Sequence, residues 1–272
     1  MTEVACQFGE AGHLVGVISE PPGAARRVAI VLVNAGLVPK MGPYRMYVQL
    51  ARRLAHDGFT VLRFDLGGIG DSSAARTSEP LRARTALDIR ASVDHVLAHS
   101  GVDGVILGGL CSGAEDSFRY AETDPRVRGV VMIDPFSYRT PGWRWRHVLY
   151  RAVRRALRAA GVYEPIVASV PSPTGSPIGK VVSYTYMEHA EAARILRAML
   201  ARRALVHFVY TGGSRDTFNH RAQLAAMFPE IARDPLVTLD HLPFLDHTQL
   251  LEEDRRAVVT AIAGRLARVG RG

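Results

Sequence analysis

A cysteine between two glycines is the part of this 272-residue sequence best suited to chemistry. Cys111 follows the apolar run 105–110, and Gly109 and Gly113 each lie two residues from it. A strand that turns sharply into a helix leaves little room for a Cβ at those flanking positions, and glycine has none. The pattern therefore predicts that Cys111 is a nucleophile on a strand–turn–helix bend, with its thiolate favoured by the N-terminus of the following helix.

Two other interpretations of this stretch are weaker. If Ser112 were the nucleophile, the flanking residues would be Leu110 and Ala114, which fit a tight turn less well. Cys111 could also be a structural thiol in a glycine-rich bend, because free cysteines are often buried in cores.

The surrounding chain alternates between strand and helix patterns. Apolar runs of strand length end in turn residues, and amphipathic helical patterns separate them. Such alternation predicts an α/β fold with a mainly parallel sheet flanked by helices. The runs lie at residues 28–33, 59–64, 105–110, 129–133, 205–210 and 236–239.

Both ends of the chain carry further predicted elements. Residues 4–8 and 14–19 resemble two strands joined by a glycine-containing turn, which predicts a hairpin. Toward the C-terminus we expect helices over 220–232 and 249–269.

Residues 136–203 interrupt the alternation. An amphipathic pattern over 143–160 is followed by a loop rich in proline, serine and glycine and then by a helical stretch near 188–203. This organisation predicts a helical cap over the site, inserted between core segments 1–135 and 204–272.

Composition and residue spacing limit the partners and cofactors to be expected. The net charge of +8 comes almost wholly from arginine, and no nucleic-acid-binding motif accompanies it, so we expect no nucleic-acid partner. The glycine-rich loop 65–72 lacks the spacing of a dinucleotide site, and the two distant cysteines suggest neither a disulfide framework nor a zinc site. We therefore expect no metal or cofactor.

The sequence also carries expectations about location. No run of 18 apolar residues occurs, and the first ten residues do not have the pattern of a secretory leader. We expect a cytoplasmic protein with no integral membrane segment.

The order of these motifs resembles that of the α/β-hydrolase superfamily. The resemblance rests on a strand followed by Asn-Ala-Gly at 34–36, Phe-Asp-Leu-Gly-Gly-Ile-Gly-Asp-Ser at 64–72, Gly-Leu-Cys-Ser-Gly-Ala at 109–114, a late acidic loop and Asp-His-Thr at 246–248. Within the superfamily the chain resembles serine-aminopeptidase-like and exosortase-associated hydrolases, with a cysteine elbow similar to that of dienelactone hydrolase. The resemblance covers nearly all of the chain outside the insertion.

The resemblance implies a triad in the order nucleophile, acid, histidine. After Cys111, it assigns the acid to Asp216, which follows the strand 205–210, with Asp134 as the alternative at the end of the preceding strand. It assigns the base to His247, on the loop before the last helix. His241 lies closer to the strand and is expected to be structural, and His220 is expected to begin a surface helix.

The resemblance also implies an oxyanion hole and a reaction. The backbone N–H groups of Gly36 or Leu37 and of Ser112 would hold the oxyanion while the thiolate attacks an ester, thioester or amide carbonyl. Cleavage by water would make the protein an esterase or thioesterase, and transfer to an amine or alcohol would make it a biosynthetic acyltransferase. The alternative to an enzyme is a non-catalytic protein that binds a small molecule on the same fold. Slow alkylation of Cys111 would favour that alternative.

Arginines cover one face of the 143–160 pattern, among them Arg151, Arg154 and Arg155. A solvated helix face explains them most simply. They could instead dock an acidic partner such as an acyl carrier protein or a coenzyme A thioester, or could lie on a membrane surface.

Overall fold

The computed structural model describes residues 1–74, 78–161 and 187–269. In these ranges eight strands form one sheet, and seven α-helices surround it. The strands are β1 (Thr2–Phe8), β2 (Leu14–Glu20), β3 (Val28–Val33), β4 (Val61–Phe64), β5 (Gly104–Leu110), β6 (Val127–Ile133), β7 (Leu205–Thr211) and β8 (Val237–Leu242). The helices are α1 (Met46–His56), α2 (Leu81–Ser100), α3 (Ser112–Thr123), α4 (Pro141–Ala159), α5 (His189–Ala201), α6 (Gln223–Met227) and α7 (Glu252–Leu266).

The sheet has the strand order β1-β2-β4-β3-β5-β6-β7-β8. The pairs β1–β2 and β2–β4 are antiparallel, and every later pair is parallel. The predicted N-terminal hairpin and the mainly parallel sheet are therefore confirmed. Because parallel strands end at the same edge, the loops that follow β3, β5, β6, β7 and β8 can meet beside one another.

Both faces of the sheet are covered, which explains why its central strands are apolar throughout. Alternate residues of β3 enter opposite halves of the core: Ile30 and Leu32 pack with α1 and α7, whereas Val31 and Val33 pack with α2, α3 and α5. The bend at the end of β5, which carries Cys111, is thus held between two packed layers.

Several element boundaries differ from the sequence predictions, and three of these differences lie near the end of the chain. The helix predicted over 220–232 is reduced to α6, and β8 runs on to Leu242 because it stays paired with β7 as far as Thr211. The last helix begins at Glu252 because the Asp246 carboxylate accepts hydrogen bonds from the N–H groups of Thr248 and Leu250 and holds that stretch as a turn.

The two described helices of the predicted insertion behave differently. Helix α5 packs into the core through residues that include Ile195, Leu196 and Met199. Helix α4 buries only Trp143 among its side chains and leaves Trp145 and Val148 exposed. The predicted loop at 170–179 lies outside the described residues, and the cap boundaries 136–203 remain a prediction.

None of the helices in the described ranges has both the length and the apolar character needed to cross a membrane.

Candidate active site

Cys111 sits on the bend between β5 and α3 in an unusual backbone conformation. Its φ of 54° and ψ of −118° lie outside the regions that side-chain-bearing residues normally occupy. The bend is held because the Cys111 N–H donates to the carbonyl of Ile133 (2.9 Å) and the Cys111 carbonyl accepts from the N–H of Ala114 (3.1 Å). Such strain persists only where the surrounding structure enforces it, and it is typical of functional sites.

The flanking glycines are required by close backbone approaches. A Cβ on Gly109 would collide with the backbone of Gly113. A Cβ on Gly113 would lie 2.6 Å from the carbonyl oxygens of Val33 and Asn34. The spacing that singled out Cys111 in the sequence is therefore a steric requirement of this bend.

The structure brings His247 and Asp134 together beside Cys111. His247 Nδ1 lies 2.8 Å from Asp134 Oδ2, and the Cys111 side chain is close enough to interact with the same imidazole. With Nδ1 engaged by Asp134, Nε2 is the ring nitrogen available to the sulfur. The Asp134 side chain is 1% exposed, and its carboxylate accepts two further hydrogen bonds of 2.6 Å from the N–H and the hydroxyl of Thr211. These bonds fix the carboxylate, which in turn orients the ring.

The acid facing the histidine is thus Asp134 at the end of β6 and not Asp216, which the resemblance favoured. Asp216 is exposed, and its backbone carbonyl accepts a hydrogen bond from Arg139. With one ring nitrogen of His247 on Asp134 and the other toward Cys111, neither is left for Asp216. On this geometry Asp134, the alternative to Asp216, is the acid that we carry into the proposed function.

The hydrogen bond to Asp134, and then the interaction with the Cys111 side chain, raises the pKa of His247 from an ordinary 6.5 to about 10. A protonated imidazole beside the sulfur stabilises a thiolate. Since the folded-state pKa lies above that of the unfolded chain, this pairing stabilises the fold fully below about pH 6.5 and ceases to do so as the pH rises through about 10.

We therefore expect the His247 imidazole to remain protonated at pH 8. Histidine-selective NMR titration measures this directly. Asp134→Asn removes the main cause of the shift and should bring the midpoint back toward 6.5, and Cys111→Ala should lower it less. A wild-type midpoint near 6.5 would contradict the pairing.

The predicted oxyanion-hole residues lie next to one another across the elbow. The N–H of Gly36 donates to the Ser112 hydroxyl oxygen at 2.7 Å, which links the loop after β3 to the first residue of α3. The Ser112 N–H belongs to the first helical turn, where backbone donors have no intrahelical partner. Leu37 follows on the same loop with its side chain 64% exposed.

Tyr47, in α1, is a structural residue of the site that the sequence did not single out. Its buried hydroxyl donates to the carbonyl of Val33 (3.0 Å) and accepts from the N–H of Leu110 (2.8 Å). It therefore joins the strand before the oxyanion loop to the residue before Cys111. Burial raises the Tyr47 pKa well above its ordinary range, so the hydroxyl stays protonated.

Tyr47→Phe should destabilise the fold by about 1–3 kcal/mol, because it leaves the buried N–H of Leu110 without its acceptor. Urea unfolding measures the change. Tyr44→Phe is the matched control, because Tyr44 is 54% exposed and its substitution should cost almost nothing. Equal stability of the two variants would show that the Tyr47 bridge contributes little.

The remaining predicted residues lie further out. His241 is in β8, where its ring meets Phe218 edge-on at 5.4 Å, and His220 lies next to Gly142 of α4. Arg151 and Arg155 are exposed on α4, and Arg154 is partly buried there.

Comparison with known proteins gives the same architecture. A family model described as the alpha/beta hydrolase fold matches residues 30–205. A serine hydrolase homologue from Coxiella burnetii is similar over 97% of each chain, with a TM-score of 0.60 and 15% sequence identity. The esterase domain of a Rhodothermus marinus protein covers 98% of each chain at a TM-score of 0.57 and 17% identity.

An esterase from Pyrococcus furiosus matches 98% of this chain and 92% of its own, with a TM-score of 0.63 and 11% identity. At these identities the likeness concerns the fold. No curated protein sequence gives a significant match to the chain.

Proposed function

Because this chain belongs to the α/β-hydrolase family and is an enzyme of the hydrolase type, we propose that it cleaves an ester or thioester through an acyl-cysteine intermediate. Cys111 is the nucleophile, His247 the general acid and base, and Asp134 the group that orients His247. The observation that carries the proposal is the hydrogen bond between Asp134 and a His247 imidazole that interacts with the side chain of a cysteine on a strained bend.

In the first half-reaction the Cys111 thiolate forms a bond to the substrate carbonyl carbon, and the carbonyl π electrons move to oxygen. The N–H of Ser112, together with that of Leu37, stabilises the resulting oxyanion, because the Gly36 N–H is already engaged by the Ser112 hydroxyl. As the bond to the leaving alcohol or thiol breaks, the leaving group takes the Nε2 proton of His247. The product is a thioester on Cys111 and a neutral imidazole.

In the second half-reaction His247 Nε2 takes a proton from water while the water oxygen attacks the thioester. The bond to sulfur then breaks, the acid is released, and the thiolate and imidazolium are restored. An amine or alcohol in place of water would yield an amide or ester. Thioesters are good acyl donors to amines, so acyl transfer is the second candidate reaction.

Steady-state kinetics with activated esters and acyl thioesters of increasing chain length test the proposal. We expect saturable turnover that is lost in proportion to alkylation of one thiol by iodoacetamide and is protected by substrate. Cys6→Ser is the control: burial raises the pKa of the Cys6 thiol, and it should play no part. Full activity of an enzyme alkylated at Cys111 would overturn the proposal, and slow Cys111 alkylation without turnover would favour a binding protein.

The exposed arginines of α4 support a further proposal, that an acidic carrier of the acyl group docks there. Reversal of Arg151 and Arg155 to glutamate should then raise KM for acyl carrier protein substrates and leave small esters unaffected. A carrier-protein KM that responds to neither this double reversal nor salt would contradict docking at this face.

A further inference from the structure

A small pocket lies between α4 and the loop that follows β7. Its volume is about 120 Å³, and the residues that line it are Arg146, His147, Tyr150, Arg215 and Asn219. None of these five side chains is acidic, and two carry a permanent positive charge.

Several polar atoms around this pocket are buried without a hydrogen-bond partner among the described residues. They are Nδ1 of His147, both ring nitrogens of His220 and Oδ1 of Asn219. The amide nitrogen of Asn219 donates to the Trp143 carbonyl at 3.1 Å, which fixes its oxygen as the free acceptor. Buried polar atoms normally have partners, so this concentration is unusual and points to a ligand.

Positive charge accumulates around the pocket. Burial, and then the neighbouring Arg146, lower the pKa of His220. Burial lowers the pKa of His241 as well, and Arg221, His220 and Arg215 lower it further. An anion would relieve this mutual repulsion.

The pocket adjoins the candidate active site through its loop. Gly213 lies so close to His247 that a Cβ there would collide with the histidine. Two residues later, the Arg215 guanidinium donates to the carbonyl of Pro243 at 2.7 Å, on the loop that leads to His247. The indole N–H of Trp143 donates to the Arg215 carbonyl at 3.2 Å, which ties α4 to the same loop.

We propose that this pocket, lined by Arg146, Arg215 and His147 with His220 beside it, binds an anionic group of the acyl substrate. The anion would accept hydrogen bonds from the guanidinium groups and the imidazoles, and Asn219 Oδ1 would accept one from an N–H or O–H of the same substrate. The proposal rests on the proposed function, because it assigns the substrate class of that site: acyl esters or thioesters that carry a phosphate or carboxylate.

Binding is tested first, with inorganic phosphate and acetate as probes and without catalysis. In the Cys111→Ala protein, phosphate or acetate should shift the His147 and His220 ring resonances in a saturable manner. Arg146→Gln should weaken that binding about fivefold or more, whereas Arg144→Gln, an exposed arginine two residues away on α4, should not. The proposed anion site would be wrong if neither anion shifted these resonances, or if both variants weakened anion binding equally.

The substrate class is tested next in the wild-type background with two matched thioesters, acyl-pantetheine and acyl-4′-phosphopantetheine, which differ by one phosphate. We expect Arg146→Gln to lower kcat/KM for the phosphorylated substrate about tenfold and to leave the other unchanged. A matched pair differing by a carboxylate on the acyl chain distinguishes the second source of the anion. If Arg146→Gln lowered kcat/KM equally for the anionic and the neutral member of both pairs, the proposed substrate class would be wrong. Absence of turnover with every substrate would instead count against the proposed function and leave the phosphate-binding result standing.

Discussion

Replacement of Cys111 by alanine should lower kcat/KM for any ester or thioester substrate by at least about 10³-fold, because it removes the attacking atom and with it the covalent route. The elbow tolerates the change sterically, since alanine differs only by the loss of sulfur. The variant should therefore retain its circular dichroism spectrum and its urea midpoint to within a small shift.

Two comparisons make the Cys111 result specific. Cys6→Ser should remain fully active, because Cys6 lies in β1 on the far edge of the sheet. Ser112→Ala should retain covalent chemistry, because Ser112 offers its backbone N–H to the oxyanion. If Ser112→Ala were inactive while Cys111→Ala stayed active, the nucleophile would be Ser112 and not Cys111.

Asp134→Asn should lower kcat by roughly 10³–10⁴-fold, the loss expected when the group that sets the histidine tautomer loses its charge. Asparagine keeps the size of the side chain, so the substitution tests the carboxylate and not the packing. Asp216→Asn is the matched control and should leave kcat within about twofold of wild type, because Asp216 is exposed and His247 Nδ1 is hydrogen-bonded to Asp134.

The two aspartate variants also test the choice of Asp134 over Asp216. A large loss in Asp216→Asn together with little loss in Asp134→Asn would show that the acid follows β7 after all. Losses of similar size in both would argue that neither residue acts through His247 alone, and the His247 titration would then identify the one that holds its proton.

The sequence predicted the sheet and singled out Cys111 because both depend on local patterns. Apolar strands that alternate with amphipathic helices indicate a mainly parallel sheet. The two glycines that flank Cys111, four residues apart, predict a bend with no room for a Cβ. The structure confirms this, because a Cβ on Gly113 would collide with the carbonyl oxygens of Val33 and Asn34.

The choice of Asp134 over Asp216 as the proposed acid could not be made this way. Asp134 and Asp216 both follow strands, and the choice depends on how each loop leaves the sheet. Asp134 has a φ of 46°, and the carboxylate is aimed by the N–H and the hydroxyl of Thr211 on the neighbouring strand. No periodicity in the sequence encodes that turn or that contact.

The Tyr47 bridge and the pocket beside α4 were missed for a related reason. Tyr47 is one apolar-face residue among several in α1, and only the three-dimensional register places its hydroxyl between Val33 and Leu110. The pocket gathers Arg146, Arg215 and His220 from segments about 70 residues apart, so their spacing in the chain carries no signal.

The most direct test of the acyl-cysteine route is intact-mass analysis of the wild type and Cys111→Ala, quenched shortly after mixing with acyl thioesters and activated esters. We expect the wild type to gain the mass of one acyl group, mapped to the peptide that contains Cys111, and the variant to gain none. Turnover by the wild type with no adduct, or with an adduct on Ser112 that persists in Cys111→Ala, would contradict catalysis through Cys111.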